Sequence, residues 1–164
     1  LNFMFNLKAE FYLKIIFLFS LVALISAYFI EHVLGHQPCN LCLIERIPYG
    51  LSIMIIMAIF VIKKNQKFLV LLLILIFIFS FTISFYHFGI EQGFFQESSV
   101  CGVMSLTESI TKEDLLKQLS EKTISCKDVT FRIFGLSLTS INILISLIFI
   151  ITLLKIFNKY EKNK

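Results

Sequence analysis

Apolar positions along this chain neither alternate nor keep to one helical face; they run together without a break in period. Four such runs stand out, at about 11–30, 47–62, 68–88 and 133–154, and the charged residues cluster between them. A helix needs about 20 mostly apolar residues to cross the hydrocarbon of a bilayer. The pattern therefore predicts four spanning helices. Lys14 lies near the end of the first run, where a long basic side chain can reach the interface. The second run is short, and Pro48 falls in its first turn, the one helical position that tolerates proline well. Asn65 and Gln66, flanked by Lys63, Lys64 and Lys67, predict a tight hairpin between the second and third runs. The first run is long for a signal peptide and no small-residue cleavage site follows it, so it is expected to remain as an anchor.

Composition agrees with this reading. Of 164 residues, 57% are hydrophobic and only 16% charged, which is far from the interspersed pattern of a soluble domain. We expect a single all-α integral membrane domain over 1–164, a four-transmembrane-helix bundle in contact with lipid, with no nucleic-acid partner. Basic residues give its orientation. The N-terminal segment, the 63–67 hairpin and the C-terminal tail hold nine basic and two acidic residues, a net of +7. The rest holds six basic and nine acidic, a net of −3. The positive side is cytoplasmic, so both termini are expected inside, and two loops, about 31–46 and about 89–132, are expected outside. Within the longer loop, Thr111, Glu113 and Asp114 begin a segment with Leu115, Leu116 and Leu119 on one face. This predicts a short helix that either lies on the membrane or packs on the bundle.

All four cysteines fall in the two outer loops: Cys39 and Cys42 in the short one, Cys101 and Cys126 in the long one. An even number confined to an oxidising face points to disulfide chemistry. Three readings of Cys39 and Cys42 remain open. Two-residue spacing suits zinc, but the other pair is 25 positions apart and does not complete a second knuckle. A structural staple is possible, although so small a loop gives little chain-entropy stabilisation. A redox pair uses the strain and thiolate stabilisation that such tight spacing brings. Cys42 is expected near the start of the second span, where a helix N-terminus favours a thiolate. Arg46, one turn later, either supports that thiolate, or marks the water–lipid boundary or pairs with Glu45.

The stretch PCNLCLIER (38–46) resembles the first periplasmic loop motif of the DsbB family of bacterial inner-membrane disulfide-bond formation proteins. The similarity extends to YHFGIEQGFF (86–95), to Cys101-Gly102, and to SCKDVTFRIFGLSLTSIN (125–142) leading into the last span. The resemblance covers nearly the whole chain. It implies a bacterial inner-membrane enzyme that oxidises a soluble, periplasmic DsbA-type thioredoxin-fold protein and passes the electrons to a membrane quinone, ubiquinone or menaquinone, without a metal.

By matched position, it implies that Cys101–Cys126 is the disulfide attacked by the partner, with Cys101 taking the mixed disulfide. Cys126 would then bridge to Cys39, leaving Cys42 as the thiolate that reduces the quinone beside Arg46. His87, next to Tyr86 at the outer end of the third span, is a further candidate quinone contact. His32 and His36 are expected to be bystanders, and Glu91 to cap or orient the loop. The alternatives are a dedicated or reverse-direction thiol-redox enzyme, and a non-catalytic four-span scaffold with two structural disulfides.

Overall fold

The computed structural model describes residues 2–62, 65–96, 101, 126–127, 132–133 and 135–162. The expected helix at 111–119 and the residues Lys63 and Lys64 lie outside these. The elements are α1 (Asn2–His32), α2 (Asn40–Ile44), α3 (Ile47–Val61), α4 (Gln66–Glu91) and α5 (Leu138–Lys162), with short strands β1 (Arg132–Ile133) and β2 (Leu136–Ser137). Among the described residues, four segments are long and apolar enough to cross a membrane: Ala9–His32, Asn40–Val61, Gln66–Glu91 and Leu138–Lys159. The chain is a multi-pass, four-helix membrane protein.

Local chemistry explains where the helices stop. Pro48 has no N–H to give the carbonyl of Ile44, so α2 ends there and α3 restarts with the proline in its first turn. Asn65 adopts φ +62°, a left-handed conformation that asparagine tolerates, and lets α4 fold back on α3. At the far end, Arg132 pairs with Ser137 and Ile133 with Leu136 in an antiparallel hairpin. Gly135 supplies the positive φ of its turn, and the last helix begins only at Leu138.

Helix α1 packs on α3, α3 on α4 and α4 on α5, and α1 meets α5 to close the ring. Leu18, Met54, Phe68 and Ile148 face outward as a lipid-facing surface, while Ile56, Leu73, Phe77 and Leu153 are fully buried. Lipid is as apolar as leucine, so burial of these side chains does not by itself hold the helices together. Close packing and interhelical hydrogen bonds must do so. Ser20, Ser52, Ser80, Ser84 and Ser146 are all fully buried. Their small size lets backbones approach, and they pair across helices: Ser52 with Ser20 at 3.0 Å, and Ser146 with Ser80 at 3.1 Å.

Asn142 of α5 makes the most connections. Its Nδ2 donates to Ser84 Oγ of α4 at 2.7 Å and to Glu45 Oε2 at 3.1 Å, and its Oδ1 accepts from the Tyr49 hydroxyl of α3. Replacing Asn142 by Ala strands the buried Glu45 oxygen and the Tyr49 hydroxyl, at about 1–3 kcal/mol each, so we expect a loss of about 2–6 kcal/mol. Ser146→Ala removes one ordinary interhelical contact and should cost about 0.6 kcal/mol. Reversible unfolding in detergent distinguishes these outcomes; equally small losses would show that Asn142 is not the clasp between the helices.

Candidate functional site

The site is built around the break between α2 and α3. Cys39 caps α2: its Sγ accepts the backbone N–H of Cys42 at 3.3 Å, and the two sulfurs, both free thiols, lie 2.7 Å apart. The residue favoured as a thiolate by this first turn is thus Cys39, not Cys42 as its position in the sequence suggests. The Cys42 thiol donating to it draws the Cys39 thiol down to about 4, against the opposing effect of burial; His87, with Nε2 at 3.6 Å, adds to the lowering.

Glu45 and Arg46 keep right-handed helical backbone angles between α2 and α3, and Arg46 lines the same cavity as Cys42. Its partner is not Glu45. It bonds Glu31 Oε2 at 2.5 Å and stacks over the Tyr28 ring at 5.4 Å, which ties the break to α1. Glu45 turns the other way, into the bundle. Its Oε1 accepts from His87 Nδ1 at 2.9 Å, and its Oε2 takes the Asn142 bond. Both side chains are well buried, His87 to 3% exposure. Thr139 of α5 lies 3.3 Å from His87 Nδ1 and donates to Glu91 Oε1 at 2.7 Å. With Nδ1–H given to Glu45 and Thr139, Nε2 is left facing Cys39.

The motif around His87 also shapes the end of α4. The backbone N–H groups of Phe94 and Phe95 return to the Gly89 carbonyl, and Phe95 stacks on Tyr86 with ring centroids 5.8 Å apart. A Cβ at Gly89 would overlap the Phe95 ring, so glycine is required where that ring folds back.

The second cysteine pair joins the first. Cys101 and Cys126 are disulfide-bonded and form one buried cluster with Cys39, Leu41 and Ile90. Each of the disulfide cysteines is 2% exposed, so reaction with a soluble protein requires this cluster to open. Beside it lies an open cavity of about 340 Å³. Cys39, Cys42, Cys126, Arg46 and His87 line it together with apolar side chains of α1 and α5, among them Ala27 and Ile145. All the candidate site residues read from the sequence therefore meet here, except Cys101, which contacts the cavity through its bonded partner. His32 Nδ1 lies 3.1 Å from the Tyr28 carbonyl, and the side chain is not part of the cavity lining.

Donor atoms of Cys39, Cys42 and His87 lie within 4.8 Å of one another, a spacing a metal could use. Two thiolates on one tetrahedral zinc sit about 3.8 Å apart, given Zn–S bonds of about 2.3 Å. At 2.7 Å, these sulfurs are placed for bonding to each other. Sequence reasoning missed Asn142, Thr139 and Tyr49, and gave Glu45 and Glu91 no chemical part. The available signal was a polar or ionisable residue inside an apolar span, which needs a partner there.

Residues 9–156 match the family model described as disulfide bond formation protein DsbB. The chain is also similar to an uncharacterised protein of Rickettsia prowazekii (strain Madrid E), with 30% identity over 147 residues, covering 88% of this chain and 86% of that protein.

The lowered Cys39 thiol has a testable signature. Because its thiol is drawn well below the ordinary thiol range, chiefly by the Cys42 thiol, the reduced protein should keep thiolate absorbance at neutral pH and lose it only in acid. Cys39→Ser should lack this absorbance at neutral pH, and His87→Ala should move its loss to higher pH. Loss at an ordinary thiol pH in the unaltered protein would contradict the geometry.

Proposed function

The chain belongs to the DsbB disulfide bond formation family, and from that premise we propose that it is a thiol:quinone oxidoreductase of a bacterial inner membrane. It reoxidises a periplasmic DsbA-type dithiol protein and delivers the electrons to ubiquinone or menaquinone. The observation that carries this reading is the meeting of both cysteine pairs on one largely apolar cavity between lipid-exposed helices. The excess of basic residues in the terminal segments and the 63–67 hairpin supports cytoplasmic termini and a periplasmic site.

The residues fit a quinone. A cavity of about 340 Å³ is within the usual range for small-molecule sites, and its lining combines apolar α1 and α5 side chains with a thiol, a guanidinium and an imidazole. When bound, a quinone supplies a two-electron, two-proton acceptor soluble in the bilayer. An acceptor of this kind is needed, because a DsbA-type protein has a potential of about −120 mV and an ordinary structural disulfide lies below about −300 mV.

The relay proceeds by thiol–disulfide exchange. A partner thiolate bonds to Cys101 Sγ as the Cys101–Cys126 bond breaks, leaving the electron pair on Cys126. The Cys126 thiolate bonds to Cys39 as the oxidised Cys39–Cys42 bond breaks, leaving the pair on Cys42. Cys42 presents those electrons to the cavity, and Arg46 offsets negative charge that develops there. The second partner thiolate bonds to the first partner sulfur as its bond to Cys101 breaks. The Cys101 thiolate bonds to Cys126 as the Cys126–Cys39 bond breaks, leaving the pair on Cys39. Cys39 and Cys42 rejoin once two electrons have left. The net change is one partner dithiol oxidised, with two electrons and two protons passed on.

Cys42→Ser should abolish quinone reduction while still giving a trappable mixed disulfide between Cys101 and the partner. An active Cys42→Ser protein would refute this electron path. Arg46→Gln should slow quinone reduction by about 10–100-fold, the scale of losing one electrostatic contact, with partner binding intact. Weaker partner binding with normal quinone kinetics would assign Arg46 to docking instead.

A further inference from the structure

Glu91 ends α4 with its side chain only 5% exposed, and it lines the same cavity as Cys42 and His87. Its two oxygens are not equivalent. Oε1 accepts from Thr139 at 2.7 Å and lies 3.9 Å from His87 Nε2. Among the described residues, Oε2 is a buried side-chain oxygen with no hydrogen-bond partner. A carboxylate whose task is only to cap a helix or fix a loop would have both oxygens occupied, because an unpaired buried acceptor is costly. Glu45 shows the contrast, with one oxygen on His87 and the other on Asn142.

We propose that Glu91 is the proton carrier of this site, taking the proton of Cys39 by way of His87 and holding it on Oε2 for delivery into the cavity. The placement of the groups gives the route. Cys39 Sγ is 3.6 Å from His87 Nε2, and the same nitrogen is 3.9 Å from Glu91 Oε1, so a small movement of the imidazole or the carboxyl closes either contact. Nδ1 is held by Glu45 and Thr139, which leaves Nε2 to exchange protons. Once released, Cys39 takes up a proton from the dithiol that reduces the site. Its S–H bond then breaks as an N–H bond forms on His87, leaving the thiolate that persists at neutral pH. That N–H breaks as an O–H bond forms on Glu91, and the electron pair stays on sulfur. Electrons then leave through Cys42 and this proton through Glu91, to an oxygen of the acceptor.

The acceptor's identity rests on the quinone reading above, whereas the transfer from Cys39 to Glu91 does not. The test uses the full-length protein carrying Cys101→Ser and Cys126→Ser, free of quinone, with Cys39 and Cys42 cycled by chemical oxidant and reductant. Reduction should produce a carboxyl C=O band in the infrared difference spectrum; Glu91→Gln should remove it, and Glu91→Asp should shift it. A band unchanged in Glu91→Gln, or no band in the parent, overturns the proposal. If the Gln variant does not fold, the shift in the Asp variant decides.

In turnover of the four-cysteine protein, Glu91→Gln should lower kcat about 100-fold, the usual scale of a lost acid–base group, with KM for quinone little changed. Wild-type kcat in that variant would also overturn the proposal. If the unaltered protein reduces no quinone while the infrared band behaves as stated, the quinone reading fails and the proton route stands.

Discussion

The contact between Glu45 and His87 is the constraint on which the rest of the site depends. A carboxylate and an imidazole lie 2.9 Å apart inside an apolar bundle, where either alone would be an uncompensated polar group. Removing one partner of such a buried pair costs about 3–5 kcal/mol, more than a surface pair is worth. The contact forms where Glu45, at the break between α2 and α3, turns into the bundle. It can persist only because Asn142 and Thr139 of α5 occupy the remaining hydrogen-bonding capacity.

Three kinds of group meet as a result. The sulfurs of Cys39 and Cys42 sit at the start of α2, with Cys126 in the same buried cluster. His87 and Glu91 lie one helical turn apart on α4, with a nitrogen facing the sulfur and, among the described residues, a buried carboxylate oxygen without a hydrogen-bond partner. Arg46 lies on the α1 side, held by Glu31. Electron transfer to a lipid-soluble acceptor needs a thiol at the bilayer edge, a place for protons and a counter-charge. The fold supplies these from four separate segments of the chain.

Much of this was legible before any coordinates. Period-free apolar runs announce spanning helices without ambiguity, since length and composition alone separate them from core helices. The spacing of Cys39 and Cys42, Arg46 and His87 were visible as candidates because they are chemically unusual at the edges of such runs. What could not be read was pairing across distance. Asn142 meets Glu45 across 97 positions, and no local pattern encodes that contact. Arg46 follows Cys42 by about one turn, but its partner Glu31 belongs to α1, 15 positions away. Glu91 read as a loop residue because its burial depends on how α5 packs against α4.

The account stands or falls on coupled turnover. The direct measurement is optical: reduction of ubiquinone or menaquinone by the purified, detergent-solubilised protein after addition of a reduced DsbA-type partner. Quinone reduction that requires both the protein and the reduced partner is the predicted result. Absence of turnover with either quinone, with all four cysteines remaining stably oxidised, would contradict it and leave a membrane scaffold held by two structural disulfides.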